Sequence, residues 1–193
     1  SSTGAFMQLL GKERCYGVEP ADENRRFSSR FARKVYPKLS DVPKNKKFDI
    51  ICMFHVLEHV FRPVAFLNRC KNNLARNGMI VIEVPCIDDP LVGLYSSRPF
   101  RDFYFQPIHP YVYSEKSLDY VFSRSGYSKK DVIFYQRYGL ANHLAWLSRG
   151  KPHGDSYLES VFGGNKHYRK NLESAKKTDT LFYIAGRKDK DAV

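Results

Sequence analysis

Phe48-Asp49-Ile50-Ile51-Cys52-Met53-Phe54 and Met79-Ile80-Val81-Ile82-Glu83-Val84 are two apolar runs of strand length with a helical stretch between them. Near-continuous apolar runs belong to strands covered on both faces, as in the parallel sheets of layered α/β proteins. Pro63 suits the first turn of the intervening helix, which is expected to run to about Arg76 and to end at Asn77-Gly78. Strand, helix, strand in that order predicts a crossover unit and an α/β domain with a mostly parallel sheet.

The remaining segments extend the same alternation. A short helical stretch covers 5–10, and Cys15 to Val18 is a strand stopped at Glu19-Pro20. Asp22 is placed to cap a helix bearing Phe27 and Phe31 four residues apart, and Val35-Tyr36 reads as a short strand. Ser114 and Ser117 flank the start of a helix ending at Gly126. Asp131 to Tyr135 and Thr180 to Ala185 are strands, with helical patterns at 140–147 and 166–176 between them. The order predicts a doubly wound, Rossmann-like sheet, and 193 residues suit one domain spanning 1–193. In such sheets a small-residue turn before the first helix follows a central strand. Ser1-Ser2-Thr3-Gly4 enters a helix directly, so the first strand of the pattern is expected to be missing.

Charge and cysteine content narrow the classes. Lys plus Arg outnumber Asp plus Glu by 32 to 20, a formal charge of +12 that favours acidic partners such as nucleic acid, nucleotides or phosphorylated sugars. The basic residues are spread along the chain, which suits solvated faces better than one nucleic-acid stripe. Cys15, Cys52, Cys70 and Cys86 show no close pairing, so buried thiols in a reducing, cytoplasmic setting are expected. No apolar run approaches the roughly 20 residues that span a bilayer.

Some residues suggest chemistry. Ser1 to Phe6, at a helix N-terminus, offers free backbone N–H groups to a carboxylate or phosphate. Glu19, at the end of a strand about 15 residues after that turn, stands where a nucleotide ribose is gripped through its hydroxyls. His55, Glu58 and His59 are spaced to share a helical face. The simpler reading, preferred to a metal site, is that Glu58-His59 caps a helix and orders the loop.

The run from Phe48 to Val60, with its Leu57-Glu58-His59-Val60 turn, resembles the fourth-strand region of class I S-adenosylmethionine (SAM) dependent methyltransferases. Asn77 to Pro85 is similar to that family's fifth strand, and Tyr16 to Pro20 to its second. Ser1 to Phe6 resembles the tail of its glycine-rich first motif. His109 to Leu118 with Gly126-Tyr127 resembles a signature of its small-molecule branch. Glu19 alone would also suit a dinucleotide oxidoreductase, but such enzymes have no reason to carry Leu57-Glu58-His59-Val60 or the Ser114-to-Leu118 pattern.

The resemblance implies a seven-stranded sheet whose last strand is antiparallel, with SAM as cofactor. It places Ser2, Thr3, Gly4 and Phe6 against the methionine part of SAM, Glu19 with Pro20 at the ribose, and Asp41 at the adenine amino group. Phe54 and His55 would lie beside the cofactor where the fourth strand ends. Proton removal from an acceptor needs a base, for which His109, His55 and His59 are the candidates. Residues 86–113 and 136–179 are expected to form inserts over the acceptor site. The aromatic and arginine residues of the first suit a sugar or nucleotide. The stretch from Gln136 to Leu147 resembles an added element of polysaccharide and sugar-nucleotide methyltransferases. The expected acceptor is a sugar, sugar nucleotide or glycan. RNA, a non-catalytic role for the fold, and self-association stay open.

Overall fold

The computed structural model describes residues 4–152, 156–162 and 164–188. The chain divides into two units, Ser1–Phe48 with Arg69–Asn73, and Asp49–Asn68 with Leu74–Val193. In the first, α1 (Ala5–Leu10) leads to β1 (Tyr16–Val18), α2 (Asp22–Ser28) and β2 (Lys34–Tyr36), with β1 and β2 paired in parallel. The pairing runs on past β1, since the Glu19 amide donates to the Tyr36 carbonyl at 2.9 Å. Asp22 does not cap α2. Ala21 takes the cap position and Asp22 the first turn, where its charge meets the positive helix end and pairs with Arg25. Asn73 closes this unit by donating to the Pro43 and Lys46 carbonyls at 2.8 and 2.9 Å.

The second unit is built on a mixed four-stranded sheet, in the order β3 (Phe48–Phe54), β4 (Leu74–Pro85), β6 (Thr180–Arg187), β5 (Tyr127–Tyr135). Strand β6 runs antiparallel to both neighbours, as expected of the last strand. Its register sets Ile80 opposite Ala185, Ile82 opposite Tyr183 and Val84 opposite Leu181. All six are buried, because alternate residues of paired strands fall on one face. Leu118 and Phe122 of α5 (Glu115–Arg124) and Leu67 of α3 (Pro63–Asn73) are buried with them. The Phe122 ring lies 4.7 Å from that of Tyr183 and 5.6 Å from that of Tyr127.

Helix α5 opens on a reciprocal cap. Ser114 Oγ accepts from the Ser117 amide, and Ser117 Oγ from the Ser114 amide. Ser114→Ala should cost about 1 kcal/mol in urea unfolding.

Several expectations are corrected. The described residues hold six strands, in a parallel pair and a mixed four-stranded sheet, where the resemblance implied a single sheet of seven with its first strand missing. The antiparallel character enters because β6 inserts between β4 and β5 against the direction of both. Strand β3 is not covered on both faces. It lies at the edge of its sheet, with Ile50 and Cys52 exposed, so Cys52 is the one cysteine not buried. Helix α3 stops at Asn73, and β4 runs through Asn77-Gly78. Gly78 serves close packing there. A Cβ at this position would come within 3.0 Å of the Leu74 side chain and the Asp49 carbonyl. Three further helices, α4 (Arg98–Tyr104), α6 (Leu140–Arg149) and α7 (Ser156–Phe162), precede α8 (Lys166–Ser174). Helices α4 and α7 fall in stretches not read as helical. No helix among the described residues is long and apolar enough to cross a membrane.

Candidate active site

In the second unit β3 ends at Phe54, and His55 takes a left-handed backbone, φ 51°, rare for a residue with a side chain. Its amide donates to the Glu83 carbonyl on β4 at 2.9 Å, which fixes the turn. The ring is then held from both ends. Nδ1 donates to Glu58 Oε1 at 3.1 Å, and Nε2 lies 3.3 Å from Arg137 Nη2 and 3.4 Å from Glu83 Oε1. Arg137 also pairs with Glu83. The Glu58 hydrogen bond raises the His55 pKa above its ordinary value, with burial opposing and Glu83 adding to the rise. With Nδ1–H given to Glu58, Nε2 of the neutral ring is the nitrogen that can take a proton.

Arg137 is positioned from below by Asp179. This buried carboxylate accepts from the Arg137 and Tyr138 amides at 3.0 Å, from Gln136 Nε2 at 2.8 Å and from the Thr180 hydroxyl. Beside it His143 is buried, with Nδ1 2.7 Å from the Tyr168 hydroxyl. Burial pushes its pKa down to about 4, so the imidazole is neutral at neutral pH.

These groups border a cavity of about 360 Å³ within this unit. One wall is aromatic: Phe100, Phe103 and Trp146, with Trp146 5.1 Å from Phe100 and 5.3 Å from Phe103, ring to ring. Polar groups face it from His55, His109, Arg137, Asn142 and Asp89. Burial pushes the Asp89 pKa up to about 7. His109 is half-buried in the lining. His59 is not in the lining. Its ring lies 4.8 Å from that of His109, and Nδ1 donates to the Ile108 carbonyl at 2.9 Å, so it supports the His109 loop. His55, Glu58 and His59 therefore do not converge on one point.

The first unit carries the other candidates. Gly4 has φ 74°, and a Cβ there would press on Ser28 and Phe31 at 3.2 and 3.3 Å. Phe6 is partly exposed on α1. Glu19 is buried at the end of β1, where Oε1 accepts from the Ala21 amide at 3.1 Å. The Pro20 carbonyl accepts from Arg25. Asp41 is exposed in a short turn after β2 and accepts from the Ser40 hydroxyl. Ser2 and Thr3 lie outside the described residues.

The sequence reading did not find Glu83, Arg137, Asp179, Asn142 or Asp89 as site residues. Glu83 carried a signal, as a lone acid inside the apolar run Ile80-Val81-Ile82-Glu83-Val84. Arg137 and Asp179 meet across 42 positions of chain and carried none.

Comparison with known proteins accords with this architecture. A family model described as a methyltransferase domain matches residues 1–131. The fold is similar to that of a SAM-dependent methyltransferase from Archaeoglobus fulgidus, at 20% identity and TM-score 0.54 over 88% of this chain and 74% of that one. It is also similar to one from Thermotoga maritima, at 18% identity and TM-score 0.57 over 97% and 78%. One from Clostridium acetobutylicum aligns at 9% identity and TM-score 0.59 over 97% and 81%. No curated protein matches the chain. With two thirds of its sequence matched by the family model and the fold in agreement, the chain belongs to the class I SAM-dependent methyltransferases and is a methyltransferase enzyme with SAM as its cofactor.

Proposed function

We propose that the enzyme methylates a hydroxyl of a sugar-type small molecule, a sugar, sugar nucleotide or glycan, held in the cavity beside His55. The observation that carries this reading is the pairing of an aromatic wall, Phe100, Phe103 and Trp146, with hydrogen-bonding groups on the rest of the lining. A sugar ring offers an apolar C–H face to aromatic carbon and hydroxyls to polar groups.

The residues present fit SAM. The buried Glu19 carboxylate is an acceptor for ribose hydroxyls, and the positive-φ Gly4 lets backbone come close to the methionine part, with Phe6 alongside. Asp41 would accept from the adenine amino group, and Pro20 would shape the ribose end. Bound SAM supplies an electrophilic methyl group whose sulfonium sulfur leaves as a neutral thioether. The chain's own part is to orient the acceptor and manage its proton. His55 Nε2 takes the hydroxyl proton as oxygen attacks, and Glu58 on Nδ1 stabilises the imidazolium that results. Arg137 Nη2 and Glu83 Oε1 stand at the same nitrogen, so the acceptor hydroxyl takes the place of the Arg137 contact when it binds. His109 lies in the same lining as a second proton acceptor, and His59 holds its loop. The segments 86–113 and 136–179 supply most of the lining and act as the cover of the acceptor site.

The test is release of S-adenosylhomocysteine during incubation with SAM and a panel of nucleotide sugars, free glycans and RNA. Turnover of a nucleotide sugar or glycan is expected. Turnover of RNA alone, with binding that weakens steeply as salt rises, would replace this reading with a nucleic-acid one, which the charge of +12 allows. A second prediction concerns the base. Protonated His55 cannot accept a proton, so the acidic limb of kcat should lie above the ordinary histidine value. Glu58→Gln removes the largest cause of the raised pKa, and the limb should move to lower pH. A limb that stays in place would assign the base elsewhere.

A further inference from the structure

Asn142, on α6, is 5% exposed, borders the cavity, and its Nδ2 is buried with no hydrogen-bond partner. Buried amide nitrogens in native proteins are nearly always satisfied, because leaving one bare costs a large part of its desolvation. The neighbours on its helix, Ala141, His143, Ala145 and Trp146, are accounted for: His143 bonds Tyr168, and Trp146 packs on Phe100 and Phe103. Asn142 alone among them presents a fully buried donor without a partner, and it does so one turn from the indole that forms the aromatic wall. Asp89 also lines the cavity, with Oδ1 engaged by the Leu91 amide at 2.7 Å.

We propose that Asn142 Nδ2 is a specificity determinant for the acceptor, donating a hydrogen bond to a sugar oxygen while the ring's apolar face rests on Trp146. This rests on the reading of the cavity as the acceptor site. Nδ2 only donates, so the oxygen it meets must accept. A hydroxyl or ring oxygen qualifies, and a protonated amine at the same place does not. A site whose buried donor is left bare by the wrong ligand rejects that ligand more strongly than an apolar pocket could.

The chain has a single tryptophan, Trp146, so its fluorescence reports occupancy of this cavity. The probes are UDP-glucose and its 2-, 3-, 4- and 6-deoxy analogues, titrated into the SAM-loaded protein with fluorescence as readout and followed by turnover. The parent protein should bind one deoxy analogue roughly tenfold or more weaker than UDP-glucose, the usual scale of one lost hydrogen bond. Asn142→Asp, near in shape but unable to donate, should raise the acceptor KM by a similar factor and erase the preference against that analogue. Asn142→Leu should do the same with a melting temperature equal to or above the parent's, since it removes a bare buried donor. That pairing separates ligand recognition from a structural role, which would lower stability in both variants. An unchanged deoxy-sugar profile in both variants, with UDP-glucose still bound, overturns the role of Asn142 alone. No fluorescence response to any sugar in the parent protein overturns the acceptor reading and this inference together.

Discussion

His55→Asn should lower kcat by roughly a hundredfold to ten-thousandfold at saturating SAM and acceptor, the range supplied by a positioned general base. The substitution is chosen for the backbone. His55 sits at φ 51°, a conformation asparagine tolerates better than alanine does, so the turn between β3 and Leu57 should survive. Asparagine also keeps a donor for Glu58 while losing the nitrogen that accepts a proton. The consequence for pH is as important as the rate. The folded-state pKa of His55 is raised, so its charged form is favoured by folding. That contribution to stability is fully present below the ordinary histidine value and fades as pH rises through the folded value. Activity runs the opposite way, growing as His55 loses its proton. The parent enzyme should therefore gain rate over the same window in which it gives up a little stability, and His55→Asn should flatten both dependences. Stopped assays across pH 5.5 to 9 beside thermal melts would show it. A variant within tenfold of the parent, with the acidic limb intact, would move the base to His109.

Much of this arrangement was legible in the sequence, and the parts that were not share a physical cause. The apolar runs gave β3 and β4, and the spacing of Ser114 and Ser117 gave the start of α5, since local chemistry decides such features. Composition did not say how many neighbours a strand has. An apolar β3 reads the same whether it is central or, as here, at an edge with Ile50 exposed. Asn77-Gly78 has the chemistry of a helix end, yet Gly78 is used to let β4 approach the Asp49 carbonyl. In the site, His55, His59 and His109 stood out by residue type. Their partners did not, because the geometry is long-range: His55 meets Arg137 across 82 positions, and Arg137 meets Glu83 across 54. Only the antiparallel placement of β6 beside β4 and β5 brings Asp179, Arg137 and Glu83 to one end of the sheet.

Phe122→Ala should destabilise the protein by about 3 to 5 kcal/mol, the range for removing a buried phenylalanine with partial collapse of the space left. Phe122 is fully buried, and its ring meets Tyr183 of β6 and Tyr127 of β5, so it joins α5 to two strands of the sheet at once. Against a total stability of about 5 to 15 kcal/mol for a domain, such a loss leaves a protein near its unfolding threshold at ordinary temperature. Urea unfolding at 25 °C should show a much lower midpoint with the slope unchanged, because the surface exposed on unfolding is nearly the same. Tyr183→Phe gives the contrast. It keeps the ring and removes only the hydroxyl that bonds Asp119 at 2.7 Å, so it should cost about 1 kcal/mol. The two variants separate packing from hydrogen bonding at one contact. They also bear on the site, because Asp179 lies one residue before β6 and anchors the segment carrying Arg137. If the sheet is what holds that anchor, Phe122→Ala should raise the acceptor KM at temperatures where it is still folded, and Tyr183→Phe should not. A Phe122→Ala cost below about 1 kcal/mol would mean that α5 can settle onto the sheet without it, and Leu67 and Leu118 would then be the residues that hold this core.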